Sequence, residues 1–206
     1  MVKIVTLSFA FRAERKYIHT TDIYDSLLAG LAEAGFGDAD GAVSLTIREV
    51  MRNQLDLHIR EPGETVPRPP KAVIDFTVNT GEARIGGWFV ATDRPVKESV
   101  PYDEEAAIRD RATVTGPTIA IEGDAGATAI EVVTALAVKL HNTLAPPPPG
   151  KKWLDTRLDL ERRLRPADGS RLSLTMVKRH GDRLTKSLIS LPGEDLGHIY
   201  FSLGSP

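Results

Sequence analysis

The chain is expected to be an α+β protein built from a β-α-β-β-β-β unit that occurs twice. Two apolar helical stretches, at residues 22–34 and 129–144, each follow a short alternating segment. Each is then followed by a series of strand-like runs separated by turn residues, such as Asn79-Thr80-Gly81. The order and spacing recur while the side chains do not, so the repeat lies in the arrangement of elements.

The elements follow in chain order. Val5, Leu7, Phe9 and Phe11 alternate with Thr6, Ser8, Ala10 and Arg12, the pattern of a half-buried strand. Ile23, Leu27, Leu31 and Ala34 then form a helical stripe with Leu28 beside it, closed by Gly35 or Gly37. Gly30 lies inside this helix. Glycine there costs about 1 kcal/mol relative to alanine, which a surface packed against the backbone would explain. Strand patterns follow at Val43-Leu45-Ile47, Leu55-Leu57-Ile59 and Ala72-Ile74-Phe76-Val78, and then from Ala83 to Val90. Gly86-Gly87 within the last run predicts a bulge or a close approach by another backbone or a ligand.

Val96 to Arg111, flanked and broken by Pro95 and Pro101, is polar enough to connect two halves. The expected organisation is 1–95, a connector at 96–112, and 113–206. In the second half, Thr118 to Glu122 reads as a strand with Ile119 and Ile121 on one face. Thr128 and Glu131 form a capping box that opens the helix Ala129–Leu144, which Pro146–Pro149 ends. Strands then follow at Leu154-Leu158-Leu160, Leu172-Leu174-Met176, Leu184–Leu191 after the His180-Gly181 turn, and Ile199-Phe201-Leu203.

Composition excludes several chemistries. Hydrophobic residues are 41% and charged residues 26%, the balance of a globular protein with a core. No run approaches the roughly 18 apolar residues of a membrane span. MVKIVTLSFAFR lacks the solid apolar block of a signal peptide, so a cytoplasmic location and no membrane partner are expected. The absence of cysteine removes disulfides, thiolate nucleophiles and cysteine-based metal sites. His19, His58, His141, His180 and His198 never pair at i, i+3 or i+4, so no metal and no cofactor are expected. No phosphate loop, dinucleotide fingerprint or nucleophile elbow is present. A net charge of −2 argues against nucleic acid as a partner. Residues 98–131 nonetheless carry eight acids against two arginines, and 151–186 eleven Lys/Arg against five acids. That split reads as two solvated faces, or as a basic patch for a phosphate-bearing or acidic partner.

Single long apolar helices, each preceded by a strand and followed by several more, suit a sheet that curls around a helix. Each half thus resembles a hotdog domain, and the chain resembles a fused double hotdog. Another duplicated α+β sandwich, with both helices on one face of a mixed sheet, is the alternative. The resemblance rests on element order, without the glycine-histidine-proline dehydratase signature or an asparagine-rich thioesterase loop. It implies an enzyme on acyl-CoA or acyl-carrier-protein thioesters, dehydratase- or thioesterase-like, with homodimer formation open. The alternative is a non-catalytic binding or assembly module on the same fold.

His19-Thr20-Thr21-Asp22 opens the first helix. Capping explains Thr21, Asp22 and Asp25. It does not require His19. First-turn N–H groups can polarise a thioester carbonyl while a neighbouring imidazole moves a proton. Asp22 or Asp25 would orient that imidazole or carry a proton. The resemblance puts active groups where the central helix begins, which makes His19 and Asp22 the candidate catalytic pair and Thr20 and Thr21 candidate substrate contacts. Arg12 and Tyr17, with Arg15 and Lys16, form either a solvated loop or a basic lip for a phosphopantetheine or nucleotide phosphate. The second helix opens with GDAGATAIE, which has no histidine or arginine, so one site per chain is expected. His58 should point away from the core or toward a cleft, and His141 should be a cation at a helix end. Trp88 and Trp153 read as core or seam aromatics.

Overall fold

A computed structural model describes residues 1–37, 40–81 and 83–205. They divide into two units, Met1–Tyr102 and Asp103–Pro206.

The first unit contains β1 (Val2–Thr6), β2 (Phe11–Arg12), α1 (Thr20–Glu33), β3 (Val43–Ile47), β4 (Asn53–Arg60), β5 (Ala72–Asn79), β6 (Arg84–Pro95) and β7 (Ser99–Val100). Five strands form an antiparallel run in the order β1-β4-β6-β5-β3. The period-two pattern decides which face is buried. Leu55, Leu57 and Ile59 are fully buried, as are Ile74 and Val78, while Asp56, His58 and Arg60 alternate on the other side. α1 buries Ile23, Tyr24, Leu27 and Leu31. A Cβ at Gly30 would sit 2.5 Å from Leu57 Cδ2, so the helix backbone itself is the contact surface on β4.

One expectation changes here and another narrows to one of its two alternatives. The alternation from Val5 to Phe11 predicts one continuous strand, but β1 ends at Thr6. The Phe9 backbone leaves the ladder because Gln54 takes both of its polar groups: Phe9 N–H donates to Gln54 Oε1 at 2.6 Å, and Gln54 Nε2 donates to Phe9 O at 2.9 Å. Gly86-Gly87 is a close approach and not a bulge, since pairing with β4 and β5 runs through it without a register shift. A Cβ at Gly87 would lie 2.0 Å from the His58 carbonyl oxygen and 2.8 Å from the Phe76 ring.

The second unit contains β8 (Ala112–Thr115), β9 (Thr118–Ile121), α2 (Ala129–Leu144), β10 (Lys152–Leu160), a 3-10 turn (Pro166–Ser170), β11 (Ser173–His180), β12 (Leu184–Leu191) and β13 (Glu194–Gly204). The strand order is β10-β13-β12-β11-β9-β8, again antiparallel. β8, which the sequence reading does not identify as a strand, is paired to β9 through a hairpin at Gly116, whose φ is +56°. The capping box forms as expected: Glu131 N–H donates to Thr128 Oγ1 at 3.3 Å, and Thr128 N–H donates to Glu131 Oε2 at 3.0 Å. Val132, Val133, Leu136 and Leu140 are fully buried along α2.

His141 departs from the expected cation at a helix end. It is completely buried, and burial pushes its pKa down. The ring is therefore neutral at neutral pH. Nδ1 lies 2.7 Å from the Ala137 carbonyl, which can only accept, so Nδ1 carries the proton and Nε2 accepts from the Thr185 hydroxyl at 2.6 Å. Its ring packs on Phe201, centroid to centroid at 4.6 Å.

Candidate functional site

The mouth of α1 is assembled from segments far apart in sequence. Phe11–Arg12 of β2 pairs in parallel with Ser99–Val100 of β7. Ser99 Oγ donates to the Ala13 carbonyl at 2.8 Å, beside a left-handed turn at Ala13 with φ +51°. Ile18 N–H donates to the Met51 carbonyl at 2.9 Å, which fixes the entry to the helix. Tyr102, just past β7, then lies against the residues that open α1.

His19 occupies the N-cap position with extended backbone and makes no side-chain cap. This corrects the expectation that Thr21 or Asp22 caps the helix: both lie inside its first turn. The helix starts earlier because the Ile23 N–H already donates to the His19 carbonyl, at 3.2 Å. Thr20, Thr21 and Asp22 thus carry first-turn N–H groups that no side chain among the described residues caps. α2 differs, its first turn being closed by Thr128 and Glu131.

His19 is 5% exposed, Thr20 8% and Thr21 0%. Nδ1 of His19 lies 2.8 Å from Thr21 Oγ1, and the imidazole centroid lies 5.6 Å from that of Tyr102. Asp22 receives Arg12 in a forked pair, with Nε 3.0 Å from both carboxylate oxygens and Nη2 2.6 Å from Oδ1. The pair is partly buried, with side-chain exposures of 13% and 24%. The Arg12 guanidinium also stacks over Tyr102 at 4.4 Å, with that of Arg15 at 5.6 Å from the same ring.

The structure therefore brings His19, Thr20, Thr21, Asp22 and Arg12 into one cluster. Tyr17 is half-buried at its approach, and Asp25 is exposed one turn further along the helix, outside the first turn. Asp22 meets Arg12, so the contact that orients the imidazole comes from Thr21. Sequence reading misses Tyr102; a lone aromatic after Pro101 in an otherwise polar connector is the only signal it leaves. Among the described residues no group of three or more His, Asp or Glu side chains gathers to hold a metal. Among the described residues, too, no helix is long and apolar enough to cross a membrane.

No family model matches the chain, and no curated protein matches it in sequence. Solved structures do. The 12:0-ACP thioesterase from Umbellularia californica is 10% identical, with 100% of this chain and 94% of that one covered at a TM-score of 0.50. A tesB protein of Mycobacterium avium subs paratuberculosis is 12% identical over 100% and 92%, at a TM-score of 0.48. The bifunctional dehydratase-cyclase domain in ambruticin biosynthesis is 14% identical over 92% and 83%, at 0.45. The first of these carries the fold assignment. With a long helix followed by four strands of the antiparallel sheet in each unit (β3–β6 after α1, β10–β13 after α2), the chain is α+β and has the hotdog fold twice over.

Proposed function

We propose that the protein processes acyl thioesters, as a thioesterase- or dehydratase-like enzyme whose working end is the mouth of α1. The observation that carries this reading is the buried His19 beside first-turn N–H groups that lack a side-chain cap. The similarity to an acyl-ACP thioesterase fits the same substrate class, an acyl group on CoA or an acyl carrier protein.

In the hydrolytic form, the thioester carbonyl oxygen sits against the N–H groups of Thr20–Asp22, and His19 Nε2 accepts a proton as water adds to the carbonyl carbon. This needs Nδ1 to carry the ring proton and hydrogen-bond to Thr21 Oγ1, so that Nε2 is the basic nitrogen of the ring. Collapse of the tetrahedral adduct breaks the C–S bond, and the imidazolium returns the proton to the departing thiolate. In the dehydrating form, the same nitrogen takes the α-proton of a 3-hydroxyacyl thioester and hands it to the leaving hydroxyl. Asp22 acts by anchoring Arg12, and Arg12 with Tyr17 forms the rim that meets the carrier's phosphate.

The test is turnover of a panel of acyl-CoA and acyl-carrier-protein thioesters by the wild type and His19→Ala. Loss of turnover with an unchanged melting curve is expected; a folded, fully active His19→Ala overturns the assignment. A binding module without catalysis is the second reading, motivated by the Arg12–Asp22 pair and Tyr102 closing over the cluster. It predicts a thioester complex with no turnover. The basic run 151–186 gives that reading less than its composition suggests. Arg162 there is held by Asp168 and Glu194, each at 2.8 Å.

A further inference from the structure

The first unit carries a second polar constellation on the sheet face turned away from α1. Arg60 on β4, Gly86 on β6 and Thr77 on β5 form one cross-strand row, with Arg60 opposite Gly86 and Gly86 opposite Thr77. With Arg84, Glu61, Gly63 and Glu64 they line a pocket of about 330 Å³, near the lower end of the volumes that small-ligand sites occupy.

Gly86 makes this arrangement. A Cβ there would stand 2.7 Å from Arg60 Nη2, so the missing side chain is what lets the guanidinium lie flat across the strand. The same guanidinium rests 5.0 Å above the ring of Trp88, the next residue on that face, itself only 6% exposed. Arg60 is thereby held in one orientation. Its Nε is buried and has no acceptor. Among the described residues neither Arg60 nor Arg84 is paired with a carboxylate; of the two glutamates at the pocket, Glu61 lies 3.6 Å from the Met1 amino group and Glu64 pairs with it. A pre-oriented guanidinium with an unmet buried donor, a second arginine at the rim and a glycine floor is the donor set that a planar two-point oxyanion contact requires.

We propose that this pocket binds a phosphate-bearing small molecule, a phosphomonoester or diphosphate. Arg60 makes a forked contact from the floor, and Arg84 closes on the same group from the rim. The inference does not depend on the chemistry at His19. The charge of the site makes binding weaken as ionic strength rises.

Calorimetric titration of the full chain with inorganic pyrophosphate and, in parallel, with ADP tests it. Binding of either supports the proposal: equal affinities assign a free diphosphate, and a tighter ADP assigns a nucleotide. Arg84→Gln alters an exposed side chain, and the closest contact of a Gly86→Ala methyl is the far end of the Arg60 side chain, with the Phe76 carbonyl at an ordinary 3.4 Å. Both should fold with the wild-type melting temperature and lose about tenfold in affinity or more, the effect of one charge-assisted contact. Arg60→Gln should lose at least as much. No heat from either probe with the wild type, or wild-type affinity in both Arg84→Gln and Gly86→Ala, overturns the proposal.

Discussion

Gly30→Ala tests how α1 is seated, and with it the position of the candidate site. On a solvent-facing helix this change gains about 1 kcal/mol. Here the new methyl would lie 2.5 Å from Leu57 Cδ2 and 3.9 Å from Val5 Cγ1. Carbon atoms are comfortable at about 3.5–4.0 Å, so roughly an ångström must be found at Leu57. Leu57 has no exposed surface, and its neighbours are packed as densely as an organic crystal. Overpacking of this kind costs about 1–3 kcal/mol, which exceeds or cancels the propensity gain and leaves a net loss of about 0–2 kcal/mol. At this chain length the melting temperature should fall by about 2–4 °C per kcal/mol. The decisive measurement is the double-mutant cycle in urea. Leu57→Ala alone should cost about 2–5 kcal/mol, but in that background the alanine at 30 meets open space and should become stabilising, giving a coupling of about 1–3 kcal/mol. Additive effects, or a Gly30→Ala protein that is simply more stable, would refute the seating of this helix.

The other predictions concern the two helices and the pairs around them. Asp22→Asn leaves the Arg12 guanidinium half-buried with a weaker partner; about 1 kcal/mol should be lost, discounted for its partial exposure, and the loss should shrink in an Arg12→Gln background. Thr21→Val removes the hydroxyl facing His19 Nδ1, and it should lower kcat on any thioester found to be turned over while leaving KM and the fold nearly unchanged. The depressed pKa of His141 makes the unfolded chain bind more protons than the folded one. Stability should be complete above the ordinary histidine value of about 6.5 and decline as pH falls from there through the lowered folded value, and His141→Gln should flatten that decline in a chemical-denaturation series. Thr128→Ala should cost about 1 kcal/mol through loss of the α2 cap, read by thermal melting, with no effect on the α1 mouth.

Much of this architecture is legible in the sequence because it is local. The stripe Ile23-Leu27-Leu31, the Thr128–Glu131 box and the alternation in β4 and β5 each follow from periodicity or capping within a few residues. Even the use of Gly30 is explained before its neighbour is known. What the sequence hides depends on contacts across the chain. The alternation through Phe9 and Phe11 is sound as a pattern, yet the strand stops because the side chain of Gln54 takes the Phe9 backbone groups. Asp22 has the residue type and position of a cap, but Arg12 claims it. His141 has the position of a dipole-facing cation, but Thr185 and the Ala137 carbonyl fill both ring nitrogens and burial keeps it neutral. For the α1 mouth, the cluster His19-Thr20-Thr21-Asp22 is visible as adjacent letters, whereas Tyr102 enters only through the pairing of β2 with β7.

That short parallel ladder sets a rule for dissecting the molecule. A fragment trimmed at Pro95 would keep the five-stranded antiparallel run and α1, and by strand count would look whole. It would also shed Ser99, Val100 and Tyr102, stripping the stacked ring from Arg12 and baring the imidazole beneath. Anyone who excises the first half to study its chemistry should therefore cut beyond residue 102, or the piece in the tube will lack the cover that gives His19 its surroundings.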